Sequence, residues 1–176
     1  SHPSSAVPVP IEEILEFQYG VDIVPVRDLQ RRFGIDGATG ADLHTIYVDE
    51  WIQESRPGRY RFTLAHEAGH LVLHREIVLE LVPASLSDWL DLADAVDEEA
   101  YNRMEGQAYS WAGLVLVPRA VLAEMVAAEA QRAREKGFDP DESPDLAVRY
   151  IGSALARGFD VSPEVIRRRI SFDHLL

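Results

Sequence analysis

The stretch RFTLAHEAGHLVLH, residues 61–74, decides the fold of this chain. It holds three of the six histidines in the sequence at intervals of four residues, within a mostly apolar run. Apolar residues with this spacing predict a buried helix. Residues four apart on a helix lie about 40° and about 6 Å from each other, so His66 and His70 can face one point. The stretch therefore predicts a metal site of the H-E-x-x-H type.

The glutamate of this motif, Glu67, faces another direction. It follows His66 directly, which turns its side chain by about 100° around the helix axis, too far to share an ion easily. It can instead take a proton from a water molecule beside the ion and act as a general base. The alternative is a core helix whose histidines are satisfied by hydrogen bonds, because an uncompensated polar group in a core is costly.

Two further residues of the stretch have predicted roles outside the metal site. His74 lies eight residues from His66, about 12 Å along the axis, so an unbroken helix cannot bring both to one ion. We expect His74 to make hydrogen bonds at the helix end. Gly69 costs up to about 1 kcal/mol relative to alanine inside a helix, and the close approach of another backbone would explain it.

A third ligand has to come from elsewhere, since catalytic zinc sites usually have three protein ligands. The acidic stretch 88–105 offers several carboxylates. Glu105 stands at the edge of an apolar stripe formed by Ala108, Ala112 and Val115, where a ligand could point inward. Spacing alone leaves the choice open between Glu105 and its neighbours, which are Asp88, Asp91, Asp94, Asp97, Glu98 and Glu99.

The composition limits the function classes. The chain has 176 residues, enough for one domain with its own core, and no cysteine, which excludes disulfides and thiolate ligands. Its net charge of −13 repels phosphate, so we expect no direct DNA binding and a preference for basic partners. No apolar run approaches the roughly 20 residues of a membrane span, and the chain start lacks a signal-peptide pattern. The expected location is the cytoplasm.

The order of predicted elements indicates an α+β fold, with a small mixed or antiparallel sheet early in the chain and helices after it. We predict a loose segment over residues 1–10, in which Ser1 and His2 look like a tag remnant, and one domain over residues 11–176. Strands are predicted at 21–26 and as two short strands within 37–52, with a turn at 55–59. Helices are predicted at 11–20, 26–35, 60–74, 91–117, 118–137, 145–159 and 161–170.

The chain resembles the ImmA/IrrE family of metallopeptidases. The similar segments are R-x-R-F-T-L-A-H-E-x-G-H-x-x-x-H at 59–74, the segment from Glu105 through Ala108 and Trp111 to Pro118, and the closing FDVSPEVIRRRI. The resemblance implies a zincin-like fold whose sheet packs on the active-site helix. It also implies a zinc ion bound by His66, His70 and, as in gluzincins, Glu105, with Glu67 as the general base.

The resemblance further implies a function as a zinc-dependent endopeptidase. Family members often act beside a helix-turn-helix repressor, which they cleave or inactivate to switch on a phage, mobile-element or stress programme. Many also carry a repressor-like domain at the N-terminus. Residues 1–45 show no such domain, so the expected substrate is a separate repressor protein.

The end of the chain supports an alternative function of another class. Residues 145–176 resemble a helix-turn-helix, with three consecutive arginines from Arg167 to Arg169 on its second helix. The alternative is a non-catalytic, metal-dependent regulator that binds a repressor or DNA. Nearby acidic residues nearly cancel this basic charge, so a closing helical hairpin with a solvated basic face explains the segment better than a DNA-binding motif does.

Two further features of a peptidase site have sequence candidates. The stretch TIYVDEWI (45–52) is our candidate for a strand that pairs with an extended peptide. A donor to the oxyanion is also expected, and the sequence does not choose between His44, Tyr47, Tyr101 and Tyr109.

Overall fold

A computed structural model describes residues 7–81 and 97–176 of the chain. These residues divide into two compact units. The first is Pro10–Ala112, and the second consists of Gly113–Leu176 together with residues 7–9. The predicted α+β class is confirmed. The predicted domain boundaries stay a prediction, and Asp88, Asp91 and Asp94 lie outside the described residues.

The sheet of the first unit has three strands in the described part of the chain. Strands β1 (Asp22–Val26) and β3 (Thr45–Asp49) pair in parallel, and β2 (Gly37–Thr39) pairs antiparallel with β3. The order β1-β3-β2 places β3 in the centre. Ile46 and Val48 on β3 are fully buried. The predicted mixed sheet is therefore present.

The predicted strand ending at Ile52 is too long. The carboxylate of Asp49 accepts a hydrogen bond from the backbone N–H of Ile52 at 3.1 Å, which caps helix α3 (Glu50–Ser55) and ends β3. The turn predicted at 55–59 is also wrong. Pro57 is the first residue of helix α4 (Pro57–Leu73), a position that suits proline because no helical partner exists there for an N–H.

The first unit contains further helices besides α3. Helix α1 (Ile11–Glu13) continues into a π-helical turn (Ile14–Gln18), and α2 (Leu29–Phe33) ends at Gly34 in a left-handed conformation. The histidine helix α4 packs against β2 and β3 and buries its apolar face there. Helices α5 (Arg75–Leu81) and α6 (Glu98–Leu116) follow it.

The second unit is helical in its described residues. Helices α7 (Arg119–Glu135), α8 (Pro144–Phe159) and α9 (Pro163–Phe172) form it, together with the end of α6. The predicted cap is present, since the Ser162 side chain accepts a hydrogen bond from Val165 N–H at 3.4 Å. No single helix in residues 7–81 and 97–176 is long and apolar enough to cross a membrane.

Candidate metal centre

Two helices of the first unit bring three potential metal ligands together. His66 and His70 lie one turn apart on α4, and Glu105 lies on α6. The two Nε2 atoms are 3.2 Å apart, His66 Nε2 is 3.2 Å from Glu105 Oε2, and His70 Nε2 is 3.3 Å from Glu105 Oε1. Ligands at tetrahedral corners around a zinc ion lie about 3.3 Å from each other. The two imidazoles therefore contact different oxygens of the same carboxylate, and the three side chains lie close enough together to hold one metal ion.

The structure distinguishes Glu105 from the neighbouring carboxylates, among which sequence spacing alone could not choose the third ligand. Glu99 pairs with Arg103 and its side chain is 83% exposed. Asp97 accepts a hydrogen bond from Ala100 N–H at 3.0 Å in the first turn of α6, and Glu98 is exposed. Among the described acidic residues of this stretch, Glu105 is the one that joins the histidines.

Glu67 lies beside the three ligands and is only 8% exposed. The hydroxyl of Thr39 lies 3.0 Å from Glu67 Oε2 and 3.1 Å from the Glu67 carbonyl oxygen, so it can donate to either. Burial raises the pKa of Glu67, against the lowering effect of His66 and His70. A carboxylate with a raised pKa in a fixed orientation is suited to accept a proton near neutral pH.

Thr39 is a site residue that the sequence did not reveal. It is 1% exposed and belongs to β2, a strand of only three residues. A single threonine in a short strand carries no periodicity or spacing signal. Only the packing of β2 on α4 makes it a neighbour of Glu67.

A cavity of about 300 Å³ opens beside the candidate ligands. Residues 35–39, which include β2, form one wall, and His66, Glu67, His70 and Glu105 face it together with Tyr101. Arg59 on α4 forms a bidentate ion pair with Asp36 in this wall, with Arg59 Nη2 2.7 Å from Asp36 Oδ1. The pair links the wall to α4. The arrangement leaves room for an extended segment beside the ligands.

Of the four candidate oxyanion donors, Tyr101 lines this cavity. The ring of Tyr109 instead packs against Phe62, with 4.8 Å between centroids. His44 is exposed in the turn before β3, and Tyr47 lies on β3. Burial, with the negative charges of Glu105 and Glu67, raises the pKa of Tyr101, so its hydroxyl keeps its proton and can donate.

The predicted peptide-binding strand needs a correction. Residues 45–49 form β3, which has a strand on each side, so its backbone groups are already paired. Residues 50–52 belong to α3. The strand at the sheet edge that also lines the cavity is β2.

The charges of the ligand group are strongly coupled. Burial alone would raise the pKa of Glu105, but hydrogen bonds from His66 and His70 outweigh it and hold that pKa far below 4.5. Burial alone would lower the pKa of His66, but Glu105 and Glu67 outweigh it and raise that pKa above 6.5. A metal ion bound here would compete with the proton that Glu105 and Glu67 favour on His66.

We expect the stabilisation of the protein by zinc to increase with pH. In the metal-free protein, the contribution of His66 is present below 6.5 and lost as pH rises through its raised folded pKa. The contribution of Glu105 is present above 4.5 and lost only as pH falls through its lowered folded pKa. Because zinc has to displace the His66 proton, the zinc-induced rise in Tm should grow between about pH 6 and pH 8. Thermal unfolding with and without zinc measures it, and a rise that shrinks toward pH 8 would contradict this site.

The expected close approach at Gly69 is confirmed. A Cβ atom at Gly69 would lie 3.1 Å from the Cα atom and 3.3 Å from the carbonyl oxygen of Ala108. Helices α4 and α6 therefore contact each other through backbone at this point. Glu105 stands one turn before Ala108, so this contact helps to place the carboxylate beside the histidines.

Gly69→Ala should weaken zinc binding, because the added methyl group pushes α6 and Glu105 away from α4. We expect a loss of affinity on the order of 10-fold, similar to the loss of a supporting contact of a metal ligand. The matched control is Gly106→Ala, since a Cβ there meets nothing within 4 Å although Gly106 adjoins Glu105. Zinc titration against a competing chelator separates the two variants, and equal affinities would show that the contact does not position Glu105.

The expected hydrogen-bonding role of His74 is confirmed. His74 follows the last residue of α4 and is 3% exposed. Its Nδ1 atom lies 3.0 Å from His70 Nδ1, and its Nε2 atom lies 2.9 Å from Gln107 Oε1. His74 thus contacts one of the candidate ligands from the side away from Glu105.

A buried H-E-x-x-H helix, a carboxylate from a later helix and a small mixed sheet together define a metallopeptidase-type domain. Residues 43–171 match the model of the Peptidase_M78 family, the IrrE N-terminal-like domain, and the chain belongs to this family. The predicted resemblance is thereby confirmed.

Among solved structures, the chain is similar to a Mycobacterium tuberculosis transcriptional regulator, with 21% identity and a TM-score of 0.50. The match covers 90% of this chain and 39% of the regulator, so the chain spans well under half of that protein's length. The likeness supports the fold. No curated protein sequence matches the chain.

Proposed function

We propose that this chain is a zinc-dependent endopeptidase. The observation that carries the proposal is that His66, His70 and Glu105 lie close enough together to share one metal ion, with Glu67 on the wall of the same cavity. Imidazole and carboxylate donors in this number suit a catalytic zinc site with one open position. The family membership supports the same chemistry.

The side chains of the site have complementary roles in peptide hydrolysis. When bound, zinc polarises the scissile carbonyl and lowers the pKa of water toward neutrality. Glu67 takes the proton of the attacking water and delivers it to the leaving amine. Thr39 holds the carboxylate of Glu67 in place. Tyr101 is proposed to donate a hydrogen bond to the oxyanion, because its protonated hydroxyl faces the same cavity.

The substrate is proposed to bind as an extended strand along β2. This strand is an edge strand of the sheet in the described part of the chain. Main-chain hydrogen bonds to such an edge give affinity with little sequence preference. Because β2 lines the cavity, a peptide paired with it passes beside Glu67 and the ligands.

The proposed substrate is a helix-turn-helix repressor of a phage, mobile-element or stress circuit, which the peptidase cleaves or inactivates. The resemblance to the ImmA/IrrE family supports this class, and the structural neighbour is described as a transcriptional regulator. The net charge of −13 favours a basic partner, and DNA-binding proteins present basic surfaces. The cytoplasm, where such repressors act, is the proposed location.

The ion pairs of Arg167, Arg168 and Arg169 favour a protein partner over DNA. Arg167 and Arg168 both contact the carboxylate of Glu164 on the same helix, at 2.6 Å and 3.0 Å. Arg169 is buried and lies 2.6 Å from Asp173. These pairs neutralise charge that a DNA-binding helix would present to phosphate. A non-catalytic regulator that binds a repressor is one of the outcomes that the following test distinguishes.

The test incubates the purified protein with candidate basic repressors, with zinc or with a chelator, and identifies products by mass spectrometry. The proposal predicts zinc-dependent cleavage at a defined bond. Binding of a repressor without any cleavage would support the non-catalytic regulator. No binding and no cleavage would reject this substrate class.

A further inference from the structure

We infer that His74 and Gln107 form a hydrogen-bond relay that fixes the tautomer and orientation of the ligand His70. The inference rests on the proposed metal site and adds two positioning residues to it. Neither residue touches the candidate ion position. The relay is formed by the two contacts of His74, at 3.0 Å to His70 and at 2.9 Å to Gln107.

The direction of the relay follows from the chemistry of its two ends. The Oε1 atom of Gln107 is an acceptor only, so the Nε2 atom of His74 has to carry the proton between them. A neutral imidazole has one proton, which leaves His74 Nδ1 as an acceptor. When Nε2 of His70 binds the metal, the neighbouring Nδ1 of His70 carries the proton and is the donor to His74.

This order of protons is the one that metal binding requires. With its proton on Nδ1, His70 has a free electron pair on Nε2, and Nε2 is the atom that faces His66 and Glu105. The opposite order would place the proton on Nε2 and block coordination. Partners of this kind set ring orientation and ligand basicity in metal sites generally.

Burial of His70 and His74 makes the loss of their hydrogen bond costly. His70 and His74 are each 3% exposed, so water cannot readily replace either partner of the contact between them. Gln107 is exposed, and water could occupy its place. With Oε1 turned toward His74, the Gln107 amide accepts from His74 Nε2 and so favours the direction of the relay described above. We therefore expect larger effects at His74 than at Gln107.

The first test measures zinc affinity by competition with a chelator. His74→Phe keeps the ring but removes the acceptor, and should weaken zinc binding by about 10- to 100-fold. His74→Asn places an amide oxygen near the position of Nδ1 and should stay within a few-fold of the original protein. Gln107→Glu keeps an acceptor and should bind zinc better than Gln107→Leu. The control is His44→Phe, which alters an exposed histidine away from the cavity.

The second test reads the tautomers directly in the zinc-loaded protein, where Nε2 of His70 would be the ligand atom. Long-range proton–nitrogen NMR at mildly alkaline pH should show the proton on Nε2 of His74 and on Nδ1 of His70. The opposite tautomers, or a His74→Phe variant that folds and binds zinc as tightly as the original protein, would overturn the relay. Neither readout uses peptide cleavage, so failure of the relay and failure of the proposed peptidase activity are distinguishable. If a variant does not fold, the NMR result on the unaltered chain decides.

Discussion

Glu67→Gln is expected to lower peptidase activity by about 10²- to 10⁴-fold while leaving zinc binding intact, the range typical for loss of a general base. The amide keeps the size of the carboxylate and its contact with Thr39, but it cannot take a proton. Glu67 does not belong to the three-ligand group. Cleavage assays and zinc titration on the same preparation check both parts of the prediction.

The stability of this variant supplies an internal control. Burial raises the pKa of Glu67, which means that the folded protein disfavours its charged form. For a carboxylate this contribution destabilises the protein at neutral pH and fades as pH falls through the raised pKa. Glu67→Gln should therefore have an equal or higher Tm at neutral pH. Unchanged cleavage of a repressor by a zinc-loaded Glu67→Gln variant would reject the hydrolase account.

Glu105→Gln is expected to have the largest effect on metal binding. It removes the only carboxylate of the three-ligand group found in the described residues and leaves two neutral imidazoles. Loss of an outer hydrogen-bond partner alone costs about 10- to 100-fold in affinity, so loss of a charged ligand should cost more than about 100-fold. Activity should disappear with the metal.

The matched control for Glu105 is Glu99→Gln on the same helix. Glu99 is also a carboxylate of the acidic stretch, but its side chain is 83% exposed and paired with Arg103. The same loss of charge there should leave zinc affinity within a few-fold. If both variants bind zinc as the original protein does, the third ligand is not Glu105. If both lose affinity equally, the overall acidic charge attracts the ion instead.

The histidine half of the site was accessible from sequence because it depends on local geometry. The spacing of His66 and His70 and the offset of Glu67 follow from the helical repeat alone. His74 was excluded as a further ligand of the same ion by the same arithmetic, and its hydrogen bonds agree with that exclusion.

The rest of the site depends on contacts between elements that are distant in sequence. Glu105 comes from another helix, and spacing could not choose it over its neighbours, so the resemblance had to supply it. The edge position of β2 depends on strand order, which alternating residues do not encode. The cap at Asp49 ended β3 earlier than the β-branched pattern suggested, and the predicted peptide strand was misplaced for both reasons.

The most direct test of the account is anomalous diffraction at the zinc absorption edge from crystals of the zinc-loaded protein. The account predicts one strong peak within bonding distance of His66 Nε2, His70 Nε2 and a carboxylate oxygen of Glu105, with Glu67 near the peak but not bound to it. A peak ligated by other residues, or zinc-loaded crystals without a peak among these three side chains, would contradict it.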